Sequence, residues 1–126
     1  VDDIGNKYLG DSYGGCVAAD EFVKMVETTD GVVKIGDNKI YVVNTENSNQ
    51  DGEHWITFID DEDGLLAYDS YGADIKKYNK LFKKLTFIQD MDDKEQRYNN
   101  EYNCGLRALA SGYVYKKFGR DDFLLI

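Results

Sequence analysis

The sequence predicts an α+β domain, a mostly antiparallel central sheet packed by helices. Three observations predict it. Short apolar or alternating runs bounded by polar loops recur at strand length, two longer stretches keep helical period, and a tight acidic turn joins two of the runs. Gly10 to Gly15 is glycine-rich and reads as a loop. Val17 to Thr28 follows as a helix, with Ala18, Phe22, Met25 and Val26 spaced for one face. Lys39 to Asn44 is the first strand and Asn47 to Gly52 a polar loop. His54 to Ile59 and Leu65 to Ser70 form a hairpin through Asp61-Glu62-Asp63-Gly64, with Gly64 suited to positive φ. From Gly72 a helical pattern places Ile75, Tyr78, Leu81, Phe82 and Leu85 on one face. Leu85 to Gln89 is the fourth strand, Asp90 to Asn103 a polar loop, and Cys104 to Phe118 the last helix. The predicted order is αβββαβα.

Length and composition narrow the class. At 126 residues, with 42% hydrophobic and 13% aromatic content, residues 1–126 read as one globular domain. No apolar run approaches the roughly 20 residues of a membrane span, and the start, Val1-Asp2-Asp3-Ile4, has no signal-peptide pattern. No membrane partner or secretion is therefore expected. Two cysteines, Cys16 and Cys104, point to a reducing compartment rather than a disulfide framework. A net charge of −9 repels phosphate and makes nucleic acid a poor partner.

The strongest chemical signal is Tyr102-Asn103-Cys104-Gly105-Leu106, which puts a cysteine in the first turn of a helix. Partial positive charge and N–H groups there stabilise a thiolate. The single histidine, His54, starts a strand. A cysteine poised to ionise and a histidine to serve it are the minimum for a cysteine hydrolase. Pairing Phe58 with Leu65 across the hairpin would set His54 directly opposite Asp69, on one face. The carboxylate would then fix the imidazole tautomer and stabilise its protonated form. A one-residue shift would move Asp69 off that face, leaving it as a strand cap.

Other chemistries fare worse. One histidine and two cysteines without close spacing make a poor zinc set, and Asp60 to Asp63 lacks calcium-loop spacing and reads as a solvated turn. Gly10, Gly14 and Gly15 are not followed by Gly-Lys-Ser/Thr, so they form no phosphate loop. Neither metal nor cofactor is expected. Cys16 reads as structural, with a disulfide to an activator as the alternative.

His54-Trp55, then Tyr68-Asp69-Ser70-Tyr71-Gly72, then a glutamine upstream of Asn103-Cys104-Gly105 resembles the adenovirus-proteinase and SUMO-protease clan, whose members run His, Asp, Gln, Cys in chain order. The ordered set covers residues 54 to about 118. The small size is closer to the viral proteinases (adenain-like) than to the cellular deconjugating enzymes. The resemblance implies an adenain-like fold and a thiol protease that processes capsid or other structural precursors during virion maturation, often after small residues such as glycine. It implies Cys104 as nucleophile, His54 as base, Asp69 as its orienting carboxylate and Trp55 as the wall of a narrow substrate slot. It also implies a glutamine donor to the oxyanion. Gln96 lies eight residues before Cys104, where the family has six or seven, and Gln89 lies fifteen before; Gln96 is preferred. A peptide activator is compatible with the resemblance, while the acidic charge argues against the DNA cofactor of the adenovirus enzyme. The expected setting is the virion and the host cytoplasm or viral factory. The rival readings are a ubiquitin- or SUMO-like deconjugating protease and a non-catalytic acidic binding module with a buried Cys104.

Overall fold

The structure, a computed structural model, describes residues 2–27, 39–49, 54–61, 64–89 and 104–125. Helix α1 (Asp2–Leu9) leads through a 3-10 turn (Gly10–Ser12) into strand β1 (Tyr13–Val17). Helix α2 (Ala19–Glu27) and strands β2 (Ile40–Asn44), β3 (Trp55–Asp61) and β4 (Gly64–Tyr68) follow. Two 3-10 turns (Ile75–Lys77 and Lys80–Lys84), strand β5 (Phe87–Gln89) and helices α3 (Cys104–Phe118) and α4 (Arg120–Leu124) complete the chain.

The five strands form one sheet in chain order. The α+β class is present, but the sheet is mixed rather than mostly antiparallel: β1–β2 and β4–β5 pair parallel, β2–β3 and β3–β4 antiparallel. Parallel neighbours need a crossover connection, and both parallel pairs have one. Helix α2 lies between β1 and β2, and the two 3-10 turns lie between β4 and β5.

The expected glycine loop contains strand β1 instead. Gly14 lies against the Tyr41 ring, where a Cβ would collide, and Gly15 takes φ 114° beside an irregularity in the β1–β2 register. Here the glycines serve close approach and a bulge on an edge strand, uses that a loop-forming composition hides. The single helix expected from Gly72 also resolves differently, into the two 3-10 turns. Asp74 accepts from the Lys76 N–H and Asn79 from the Leu81 N–H, and Asn79 is extended at φ −150°, ψ 129°. Short polar side chains that bond their own backbone interrupt a helix in this way.

Each face of the sheet carries an apolar layer. Ile56, Phe58, Val43 and Ala67 pack with Phe22 and Val23 of α2 and with Ile75, Phe82 and Leu85. Ile40, Val42, Ile59, Leu66 and Tyr68 pack with Leu9, Ala108, Leu109 and Phe123. Helix α3 lays small residues on the sheet: Gly105, Ala108, Ser111 and Gly112 are buried, while Leu106 and Tyr113 are exposed. A Cβ on Gly112 would come within 2.5 Å of Ile40 Cγ2, so glycine there sets how closely α3 approaches.

Asp60 and Asp61 correct the expectation of a solvated turn: both are buried, at 3% and 8% exposure. Asp61 accepts a hydrogen bond from the Tyr115 hydroxyl. Glu62 and Asp63 lie outside the described residues. No described helix is long and apolar enough to cross a membrane.

Candidate active site

The β3–β4 hairpin positions the first two groups. Phe58 pairs with Ala67 and Asp61 with Gly64, so the register differs from the expected Phe58–Leu65 pairing. Gly64 takes the expected positive φ, 128°. Continued past the ladder, this register sets His54 opposite Tyr71 and diagonal to Asp69. The shift is two residues, so the face is preserved, and a diagonal neighbour remains within reach of a long side chain.

His54 Nε2 lies 2.5 Å from Asp69 Oδ1. The Asp69 side chain is fully buried and His54 is 7% exposed. The other carboxylate oxygen accepts from the Ala73 N–H at 3.0 Å and the Tyr78 hydroxyl at 2.8 Å. The backbone arranges this locally: the Gly72 N–H donates to the Asp69 carbonyl at 2.9 Å, closing a turn with Gly72 at φ 69°. Glycine suits that closing position, and the turn brings the Ala73 N–H beneath the carboxylate. The imidazole stacks on Tyr71, centroids 4.8 Å apart, with Tyr78 at 5.2 Å. Carboxylate and rings therefore set both the position and the plane of His54.

Sequence reasoning missed both tyrosines as site residues. In the sequence Tyr78 reads as one apolar position of a helix, and Tyr71 as an unassigned position in the strand-end motif Tyr68-Asp69-Ser70-Tyr71-Gly72. Their signal was aromatic residues shortly after a strand-end aspartate.

Helix α3 runs beside β3 in the same direction. Thr57 Oγ1 donates to the Ala108 carbonyl at 2.8 Å, Gly112 meets Ile40 beside Ile59, and Tyr115 reaches Asp61. Counting back one turn from Ala108, about 6 Å along the axis, puts the α3 N-terminus at the sheet end where β3 starts and β4 finishes. His54 and Asp69 occupy that end. The Cys104 backbone begins α3; its side chain lies outside the described residues, as does Gln96.

Gln89 is described. Its amide nitrogen donates to the Ala73 carbonyl at 2.6 Å and its oxygen accepts from the Ile75 N–H at 3.2 Å. Both ends hold the segment that carries the Ala73 donor, so Gln89 braces the Asp69 turn.

Trp55, half-buried, is paired with Asn44 on the α3 side of the sheet. Together with Cys16 and the residues 46–48 they line a pocket of about 280 Å³. Its outer wall is tied to α2. Asp20 accepts from the Ser48 N–H at 2.8 Å and the Ser48 hydroxyl at 2.7 Å, and the Ala19 N–H donates to the Glu46 carbonyl at 3.0 Å. The Ser48 hydroxyl is the main reason that Asp20 ionises below its ordinary 3.8. A depressed carboxylate stabilises the fold above its unfolded pKa, and that stabilisation is lost as pH falls through the folded value. Ser48→Ala is therefore expected to lower the melting temperature at pH 7, by less than about 1 kcal/mol of stability at this exposed site. The deficit should fade as pH falls through the folded value; thermal melts across that acid range check it, and a pH-independent deficit would exclude the carboxylate as its cause.

A larger groove between α1 and α3, about 530 Å³ and lined by Ile4, Tyr8, Leu106 and Tyr113 among others, holds none of the predicted site residues. Among the described residues no cluster of His, Cys, Asp and Glu could hold a metal ion. No protein-family model, no curated protein and no solved structure matches the chain.

Proposed function

We propose that this chain is a cysteine endopeptidase of the adenain-like type, acting through Cys104, His54 and Asp69. The supporting observation is the buried His54–Asp69 contact at the sheet end where α3, with Cys104 as its first residue, begins. In this reading the Cys104 thiol gives its proton to His54, and the sulfur attacks the scissile carbonyl carbon. The carbonyl oxygen becomes an oxyanion, held by the Cys104 N–H and the Gln96 side-chain amide. The oxyanion collapses, the C–N bond breaks, and imidazolium returns the proton to the leaving amine. Water, deprotonated by His54, then hydrolyses the thioester and releases the new carboxylate.

His54 uses Nε2 for Asp69, which leaves Nδ1 for the proton transfer. Trp55, next in the chain, is the proposed wall of the substrate slot and favours small residues at the cleaved bond. The proposed substrates are viral structural precursors, cut in the virion or the infected cytoplasm. A peptide activator would add as a strand to an edge of the sheet, β1 or β5. Incubation of candidate capsid precursors with the protein, beside the Cys104→Ala variant, tests the reading by mass spectrometry of new termini. New termini after small residues are expected with the wild type alone. Identical termini with both proteins would overturn it.

A further inference from the structure

Helix α3 carries apolar side chains on two faces. Ala108 and Leu109 lie on the sheet, while Leu106, Ala110, Tyr113 and Val114 recur at helical spacing on a second face. A surface helix ordinarily turns a polar face to water. Here the second face forms, with Ile4 and Tyr8 of α1, a groove of about 530 Å³. Its large side chains are exposed: Tyr8 52%, Leu106 50%, Ile4 40% and Tyr113 38%. Tyr8 and Tyr113 meet edge to face, centroids 6.4 Å apart, and so join the two walls. A contiguous exposed apolar patch of this kind marks a contact surface.

The charge around the groove runs against the charge of the chain. The chain has 24 acidic and 15 basic residues, yet α3 contains Arg107, Lys116 and Lys117 and no acid. Lys7 Nζ stands 5.3 Å from the centre of the Tyr8 ring and Lys117 Nζ 5.7 Å from that of Tyr113, one ammonium from each helix. The described side chains of the two helices include one carboxylate, Asp3. A partner therefore meets an apolar floor and a basic rim, which calls for an apolar ridge with acidic flanks. The backbone adds a second constraint. Helical walls satisfy their own N–H and C=O groups, and Lys116 Nζ occupies the Leu9 carbonyl, 3.0 Å away, at the end of α1. An extended peptide finds no ladder of partners along such walls, whereas a helix brings its own. A second copy of the chain fits poorly, because groove against groove sets basic rim against basic rim. An anionic membrane is repelled by the net charge of −9.

We propose that the α1–α3 groove docks an amphipathic helix of a protein partner, with apolar anchors at i, i+3 or i+4, and i+7 and acidic residues on both flanks. The groove holds none of the residues of the peptidase reading, and its occupancy does not depend on that reading. Helical peptides with leucine fixed at those spacings, and flanks randomised among Glu, Lys and Gln, are displayed and selected on the whole protein at physiological salt. Glutamate is expected to dominate the flanks. Lysine-flanked or uncharged winners, or no winners, would overturn the proposal, since the net charge alone attracts lysine. The best Glu-flanked peptide, followed by fluorescence anisotropy, is expected to bind roughly tenfold more weakly to Lys7→Glu/Lys117→Glu, which reverses the rim, and to Ala110→Trp, which fills the groove. All three positions are exposed, and melting curves confirm folding. Unchanged binding to either variant would place the peptide elsewhere and overturn the assignment. Self-association of the wild type in sedimentation, or binding to phosphatidylserine vesicles, would also overturn it if Ala110→Trp abolished that contact, because the groove would then belong to another occupant.

Discussion

Asp69→Asn is expected to lower kcat about 10⁴-fold while leaving the fold intact, because it forces the wrong imidazole tautomer. The carboxylate has two sides with different demands. Oδ2 receives the Ala73 N–H and the Tyr78 hydroxyl, and the backbone N–H can only donate. In the variant the amide oxygen must therefore take that side, which turns the NH₂ toward His54. Nε2 must then accept, so the ring proton moves to Nδ1, the nitrogen that has to receive the thiol proton. The base is lost although every side chain stays in place. Asp69→Ala makes the contrast. It strands the Ala73 N–H, and the unmet donor alone costs about 1–3 kcal/mol of stability. Steady-state kinetics with thermal melts separate the two effects. A kcat for Asp69→Asn within tenfold of wild type would take Asp69 out of the mechanism.

The expected contact depended on face, not on register, which is why it was legible. The predicted pairing was off by two residues, and an even shift keeps His54 and Asp69 on one side of the pleat. What stayed hidden had local causes. Asp74 and Asn79 each bond their own backbone, and no apolar periodicity reveals that choice between one helix and two 3-10 turns. Gly14 and Gly15 looked like a loop because their role, passing under Tyr41 and bending an edge strand, depends on a partner strand far along the chain. Helix α3 reads from its apolar period, whereas its face on the sheet is mostly small, Gly105, Ala108, Ser111 and Gly112 beside Leu109. Asp61 reads as solvated in the sequence because its covering, Tyr115 and Arg120, comes from the last two helices. The sequence offers only the distance of Gln89 from Cys104; its contacts to Ala73 and Ile75 are set by the fold, which a one-dimensional count does not register.

His54→Ala is expected to slow alkylation of Cys104 by iodoacetamide at pH 6 by roughly 10–100-fold. Iodoacetamide reports the thiolate. An isolated thiol with pKa near 8.5 is well under a hundredth ionised at pH 6, whereas one paired with imidazole at a helix N-terminus is largely ionised. Lower basicity also lowers intrinsic nucleophilicity, which keeps the net gain below the full ratio of ionised fractions. Cys16 supplies the internal reference: it sits half-buried on β1 and is not part of a helix. Differential labelling read by mass spectrometry gives both rates in one sample. The helix terminus and His54 then separate cleanly, because His54→Ala removes the imidazole and keeps α3. If the helix terminus alone activated the thiol, the variant would label as fast as the wild type, and His54 would have no place as its partner. If both cysteines labelled equally in the wild type, the nucleophile itself would be excluded.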